Sequence, residues 1–188
     1  MLFRKESELL NLVEEFLKDE NTTFEKIAKL VSADIINIAF GYVGNYEDAK
    51  DISQEILVKL YTKIKSFRHN SKISTWIYRI TINTCIDFLR QKKRISSFKE
   101  DRKILNNKED NNAKDRIEKE NIQKKIRRCI EKLSLRQKNV IILKHFEGLK
   151  INQISKILGC SQSSVKTHLL RAIKNLRKEI GGEDEKMY

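Results

Sequence analysis

Apolar residues recur every three to four positions in nearly every window outside residues 95–121, and no stretch of the chain alternates with period two. That spacing belongs to amphipathic helices. Proline, the residue that most readily breaks a helix, is absent throughout. Leu9, Leu10, Val13, Phe16 and Leu17 outline a first helix. Phe24, Ile27, Leu30, Val31, Ile35, Ile38 and Ala39 outline a second, which ends near Gly41 to Gly44. Asn45 can cap a third, whose buried face is Ala49, Ile52, Ile56, Leu57 and Leu60. After a polar turn from Arg68 to Lys72, a fourth helix is predicted from about Ser74 to Lys93. Residues 99–121 crowd Asn, Lys, Asp and Glu around Ile104, Leu105 and Ile117, which is the composition of a linker. Beyond it, Ile122, Ile126, Ile130 and Leu133 mark another helix, and Ser134 followed by Gln137 has the spacing of a capping box. The expected fold class is all-α, with two small helical domains joined by a flexible linker.

The C-terminal domain carries a more specific pattern. Ile154, Ile157 and Leu158 form the apolar stripe of a short helix, Gly159 tolerates positive φ, and Ser161 can cap the helix that follows. Val165, Leu169, Ala172, Ile173 and Leu176 then continue at helical spacing as a buried face. Gln162, Ser163, Lys166, Thr167, Leu170, Arg171, Lys174 and Arg177 are left outward, a mixture of base-edge hydrogen-bonders and phosphate-binding cations. A plain helical hairpin with a solvated charged face shares the apolar pattern. The serine cap, the small Ser155 toward the crossing helix and the excess of cations favour a DNA-binding helix–turn–helix, whose second helix enters the major groove by its N-terminal end.

Charge changes the picture further. The 188-residue chain has 39% hydrophobic residues, enough for a modest core in each domain, and a net charge of +13 that favours a polyanionic partner. The charge is uneven: net −6 over residues 1–58, +9 over 59–94, zero over 95–121 and +10 over 122–188. Two basic blocks suggest two nucleic-acid contacts, and the acidic opening suggests a contact of the opposite kind. No apolar run approaches the roughly 18 residues that span a bilayer, and the N-terminus lacks the basic-then-apolar order of a signal peptide, so a cytoplasmic location is expected. Cys85, Cys129 and Cys160 lie far apart on or beside apolar stripes and read as reduced core thiols. His69, His145 and His168 share no metal-like spacing. No cofactor is expected, because the chain has no Gly-rich phosphate loop, and it lacks any nucleophile–base arrangement for catalysis.

On the fourth helix, Thr75, Arg79, Asn83, Asp87, Arg90 and Arg94 follow one another at three or four residues and line one side. On the third, Asp48, Asp51, Gln54 and Glu55 share the face opposite the apolar stripe. These residues also carry a family resemblance. The string Glu47-Asp48-Ala49-Lys50-Asp51-Ile52-Ser53-Gln54-Glu55, followed by Phe67-Arg68, Ser74-Thr75-Trp76-Ile77-Tyr78-Arg79-Ile80, Asn83, Asp87 and Arg90, resembles region 2 of bacterial sigma-70 family transcription initiation factors. The helix–turn–helix at 150–176 resembles region 4 of the same family. The match spans about residues 24–94 and 122–178 and leaves no room for the intermediate domain of larger members, as in the small extracytoplasmic-function group. Ser134 stands where members usually have proline, Gln153 stands where an acidic residue is common, and residues 1–20 find no counterpart.

The resemblance implies a non-enzymatic sigma factor that binds core RNA polymerase and directs promoter-specific initiation. The implied division is a region 2 domain over 1–94, a linker over 95–121, a region 4 domain over 122–180 and a tail over 181–188. Asp48, Asp51, Gln54 and Glu55 would dock on the coiled coil of the polymerase's largest subunit, and region 4 would meet the flap region. His69, Asn70, Ser71, Lys72, Arg79, Asn83 and Arg90 would recognise and melt the −10 element and trap a flipped base. Gln162, Ser163, Ser164, Lys166, Thr167, Arg171 and Lys174 would read the −35 element in double-stranded promoter DNA. Trp76 reads as core more readily than as a base-stacking ring, and Phe67 reads equally well as either. An anti-sigma factor, membrane-anchored for many members, is a further implied partner, the chain itself not being a membrane protein. The 27-residue linker reaches roughly 90 Å, enough for two DNA elements separated by on the order of 70 Å. A stand-alone helix–turn–helix regulator is the main rival reading, but it leaves the acidic face and the 75–94 stripe unexplained. A small recombinase-like enzyme is a second, and it lacks a supported nucleophile.

Overall fold

Helices α1 (Glu6–Lys18), α2 (Glu20–Val43), α3 (Tyr46–Lys63) and α4 (Ile73–Lys99) build the first half of the chain, in a computed structural model that describes residues 2–18, 20–99 and 128–184. A 3₁₀ turn over Leu2–Lys5 leads into α1, and another over Ile64–Ser66 closes α3. Asn45 caps α3 as its position predicts, its side-chain oxygen accepting from the backbone N–H of Glu47 at 2.8 Å. The apolar stripes meet in one core: Val13, Phe16, Val31, Ile35, Ile52, Ile56, Leu60, Ile77, Tyr78 and Cys85 are all buried. Burying each large side chain is worth roughly 1.5–3 kcal/mol, which makes this core the main source of stability.

In the second half, residues 128–131 are helical, followed by α5 (Leu135–Ile141), α6 (Ile151–Leu158) and α7 (Gln162–Asp184). Between α5 and α6 the chain widens to a π turn over Ile142–Phe146, with the Glu147 N–H donating to the Ile142 carbonyl at 3.1 Å. Leu133, Ile141 and Ala172 form a small core of their own with Leu169, Ile173 and Leu176. Val140, Ile142, Leu143, Leu149, Ile154, Ile157 and Val165 instead join the core of the first half. The two regions therefore share buried surface. Gly41 lies at one of their tight contacts, since a Cβ there would lie 3.2 Å from Ile142 Cγ2.

The all-α expectation is met, and among the described residues there is no strand. One boundary and one burial differ from expectation. The fourth helix runs past Lys93 to Lys99, so residues 95–99 of the expected linker continue it; Arg94-Ile95-Ser96-Ser97-Phe98-Lys99 contains no glycine or proline to stop a helix. Thr75, placed by spacing on the polar stripe of α4, is buried, and Thr81 and Thr84, farther along the helix, are buried too. The remaining linker positions, with Ile122, Ile126 and the last four residues, lie outside the described residues. Among the described residues, no helix is long and apolar enough to cross a membrane.

Candidate nucleic-acid interface

The turn between α6 and α7 follows from three residues. Gly159 adopts φ 64°, ψ 36°, with nothing within 4 Å of where a Cβ would stand, so its conformation and not crowding calls for glycine. Ser161 Oγ accepts from the Ser164 N–H at 3.1 Å and lies 2.9 Å from the Ser164 hydroxyl, capping α7. Val165 and Ala172 anchor α7 from beneath. Gln162, Ser163, Lys166, Thr167, Arg171 and Lys174 are all exposed along its outer side, with Leu170 and Arg177. Ser164, grouped with them by resemblance, is half-buried and engaged with Ser161.

On α4, Arg79, Asn83, Asp87, Arg90 and Arg94 are exposed, and Arg90 pairs with Asp87 at 3.4 Å. The loop before α4 exposes His69, Asn70 and Lys72, with Ser71 half-buried. His69 holds a left-handed conformation, φ 55°, the one non-glycine residue at positive φ among the described residues. Phe67 is buried and packs its ring against both His69, at 4.7 Å between centroids, and Trp76, at 5.6 Å. Trp76 is half-buried in this contact.

The acidic face of α3 is divided. Asp51, Gln54 and Glu55 are exposed together, Glu55 beside Lys59 at 2.5 Å. Asp48 is tied to Lys92 of α4 at 2.6 Å. An exposed pair of this kind is worth at most about 1 kcal/mol, so Asp48 stays exchangeable.

Periodicity could not disclose how the two regions close on each other. Arg79 reaches the last turn of α6 and donates from Nη2 to the Lys156 carbonyl at 2.7 Å and from Nε to the Ile157 carbonyl at 3.2 Å. A guanidinium suits the negative end of a helix. Arg79 and Asn83, with Ile82 and Ile86, form one wall of a cleft of 320 Å³ whose other wall is Asn139, Ile157, Leu158 and Gly159. Deeper in, the Tyr42 hydroxyl donates to Asn139 Oδ1 at 2.8 Å, and the Tyr78 hydroxyl donates to Glu147 Oε2 at 3.0 Å. Burial pushes the Glu147 carboxyl up, with the neighbouring Asp34 adding to the effect and the Tyr78 hydrogen bond opposing it. Burial and then Glu147 push the Tyr78 phenol up as well. Tyr42, Tyr78, Asn139 and Glu147 carry no warning in the sequence: tyrosine inside an apolar stripe reads as core, and each partner lies at least 69 residues away.

The chemistry available is binding. Cys85 is wholly buried and its thiol is pushed up to about 12 by that burial, which keeps it protonated and inert. Cys129 is buried and Cys160 half-buried, and all three are free thiols. Among the described residues, no three His, Cys, Asp or Glu side chains converge as metal ligands.

Residues 28–95 match the family described as Sigma-70 region 2, and residues 123–176 match Sigma-70, region 4. The chain is 34% identical over 151 residues to the RNA polymerase sigma factor SigV of Bacillus subtilis, covering 80% of this chain and 87% of SigV. It is 28% identical over 178 residues to the ECF sigma factor SigW of the same organism, covering 89% and 94%. Among solved structures, CnrH in complex with the cytosolic domain of CnrY superposes with a TM-score of 0.67 at 17% identity, over 91% of this chain and 96% of that one. The sigma factor RpoE, in complex with the anti-sigma factor NepR from Bartonella quintana, superposes with a TM-score of 0.62 at 22% identity, over 84% and 96%.

Proposed function

The chain belongs to the sigma-70 family, in its extracytoplasmic-function group, and from that premise we propose how its surfaces divide the work of initiation. It is a promoter-specificity subunit of bacterial RNA polymerase and not an enzyme. The exposed Asp51, Gln54 and Glu55 on α3, joined by Asp48 once Lys92 lets go, dock on a basic surface of the largest subunit; opposite charge steers that encounter. The loop from His69 to Lys72, with Arg79, Asn83 and Arg90 on α4, takes the −10 element. Gln162, Ser163, Ser164, Lys166, Thr167, Arg171 and Lys174 on or beside the outer side of α7 take the −35 element. An apolar cleft lined by Ile130, Ile141, Phe146, Ile173, Leu176 and Ile180 is the surface assigned to the flap region. An anti-sigma factor holds the protein inactive, and the site of action is the bacterial cytoplasm.

The observation that carries this reading is the pairing, within one chain, of an exposed cationic α7 stripe on a helix–turn–helix with a second polar and cationic stripe on α4. The two stripes require the regions to separate. Two promoter elements lie on the order of 70 Å apart, whereas Arg79 here touches α6 directly. The closed arrangement is therefore the form free of DNA, and engagement of a promoter strips Arg79 and Asn83 from the second region.

Purified protein mixed with core RNA polymerase on genomic fragments should start transcripts at defined sites that core alone ignores. The Asp51→Ala/Gln54→Ala double variant should keep the fold and lose affinity for core. Specific duplex binding by the isolated protein, with no binding to core, would refute the reading and favour a stand-alone regulator.

A further inference from the structure

Helix α4 begins without a cap of its own. The residue before it, Lys72, ends in an ammonium with no acceptor, although its carbonyl already takes the Trp76 N–H at 3.1 Å as the first helical bond. The neighbouring Ser71 hydroxyl is turned to the Lys72 carbonyl, 3.3 Å away. The first N–H groups of the helix need acceptors, and the local sequence supplies none.

Two of them find acceptors at the other end of the domain. Glu6, the first residue of α1, accepts from the Ile73 N–H with Oε1 at 2.8 Å and from the Ser74 N–H with Oε2 at 3.2 Å. One carboxylate thus caps α4 across 67 residues, and its charge suits the positive end of the helix. The segment that carries it is itself fixed: Leu2 is wholly buried, and Lys5 donates to the Leu30 carbonyl at 2.7 Å and pairs with Asp34 at 3.2 Å. Glu6 stands outside both stretches that match the family, residues 28–95 and 123–176.

We propose that Glu6 is a positioning residue for −10 recognition, setting through the α4 N-terminus the conformation of the loop His69–Lys72. This rests on the reading that the loop contacts the −10 element. The loop is pinned at one side by the Phe67 ring between His69 and Trp76 and at the other by Glu6. Between these pins His69 is held at positive φ, a region that few non-glycine residues occupy. Removing the carboxylate frees the Ile73 and Ser74 N–H groups and lets the loop sample alternatives before DNA arrives.

The test uses the full chain with core RNA polymerase, comparing Glu6→Ala, Glu6→Gln and, as a loop control, Asn70→Ala. Permanganate reactivity of −10 thymines reads opening, and competition for core reads docking. Glu6→Ala should slow opening by about five- to tenfold, the ratio that loss of one helix cap implies. It should also flatten the rate difference between a matched and a substituted −10 element, with affinity for core unchanged. Glu6→Gln, which keeps one acceptor at the same reach, should fall between, and it remains informative should the alanine variant fold poorly. Amide exchange in the full chain should quicken at Ile73 and Ser74 in step with the loss of opening. If Asn70→Ala slows opening and the Glu6 variants do not, the positioning role is wrong. Parallel loss of core binding and opening with base preference intact marks a structural part only and also overturns it. Normal opening with Asn70→Ala refutes the loop reading itself, and the proposal with it.

Discussion

Single side chains decide what each surface can recognise. Lys166 and Arg171 stand exposed on α7, five residues apart. Each base-edge contact is worth about 1–3 kcal/mol, so Lys166→Ala or Arg171→Ala should lower use of a −35-dependent promoter about five- to a hundredfold. Neither should change the melting temperature beyond about a degree, because an exposed position touches no core. Run-off transcription from templates with and without the −35 element checks both. Asn83 is assigned by the proposal to unpaired bases, so Asn83→Ala should slow promoter opening more than initial binding, and permanganate footprinting separates the two. A variant that binds poorly yet opens at the normal rate would remove Asn83 from the melting step.

At the level of elements, much of the fold was legible because its signals are local. A period of 3.6, Asn45 at a cap, Gly159 at a turn and Ser161 three residues before the N–H it accepts all act within a few residues, and all stand in the structure as the sequence places them. The signals that failed are not local. Thr75 lies at the right spacing for the polar stripe but faces the packed side of α4 and is buried. The cap of α4 comes from Glu6, far outside any window that periodicity inspects. The candidate site residues were legible only as residue types on helix faces, and Asp48 against Lys92 and Arg79 against the end of α6 depend on how helices cross. The two glycines separate these kinds of constraint. At Gly159 only the backbone conformation matters, so Gly159→Ala should destabilise the second region by roughly 1–2 kcal/mol, read by thermal unfolding. At Gly41 the backbone is ordinary helix and the neighbour is Ile142, 3.2 Å from an added Cβ. Gly41→Ala should therefore leave each region folded and weaken only their contact, seen as a longer distance between spin labels on α4 and α7.

Taken as a whole, the molecule is a pair of regions whose contact engages residues that the proposal assigns to the −10 element. Arg79 and Asn83 line the cleft between the regions, and the deepest polar pair beneath it is Tyr78 with Glu147. Glu147 sits buried in the closed form, facing the Tyr78 phenol of α4 and, at longer range, Asp34 of α2, which is itself paired with Lys5. Its carboxyl is pushed up there by burial, whereas separation of the regions returns it to water and to the ordinary carboxylate range. The closed form therefore binds the proton more tightly. Its extra stability is fully present below the ordinary carboxylate value and is lost as pH rises through the raised one. Closure should weaken with rising pH over a window that begins at the usual carboxylate range and ends above it. Glu147→Gln keeps a hydrogen-bonding partner for Tyr78 without the titration, so the dependence over that window should flatten and the closed form should persist at higher pH. Label distances followed across pH in both proteins provide the check. A wild-type dependence of the opposite sign would mean that the buried carboxylate is held charged by its surroundings, and that Glu147 helps keep the regions apart instead of together.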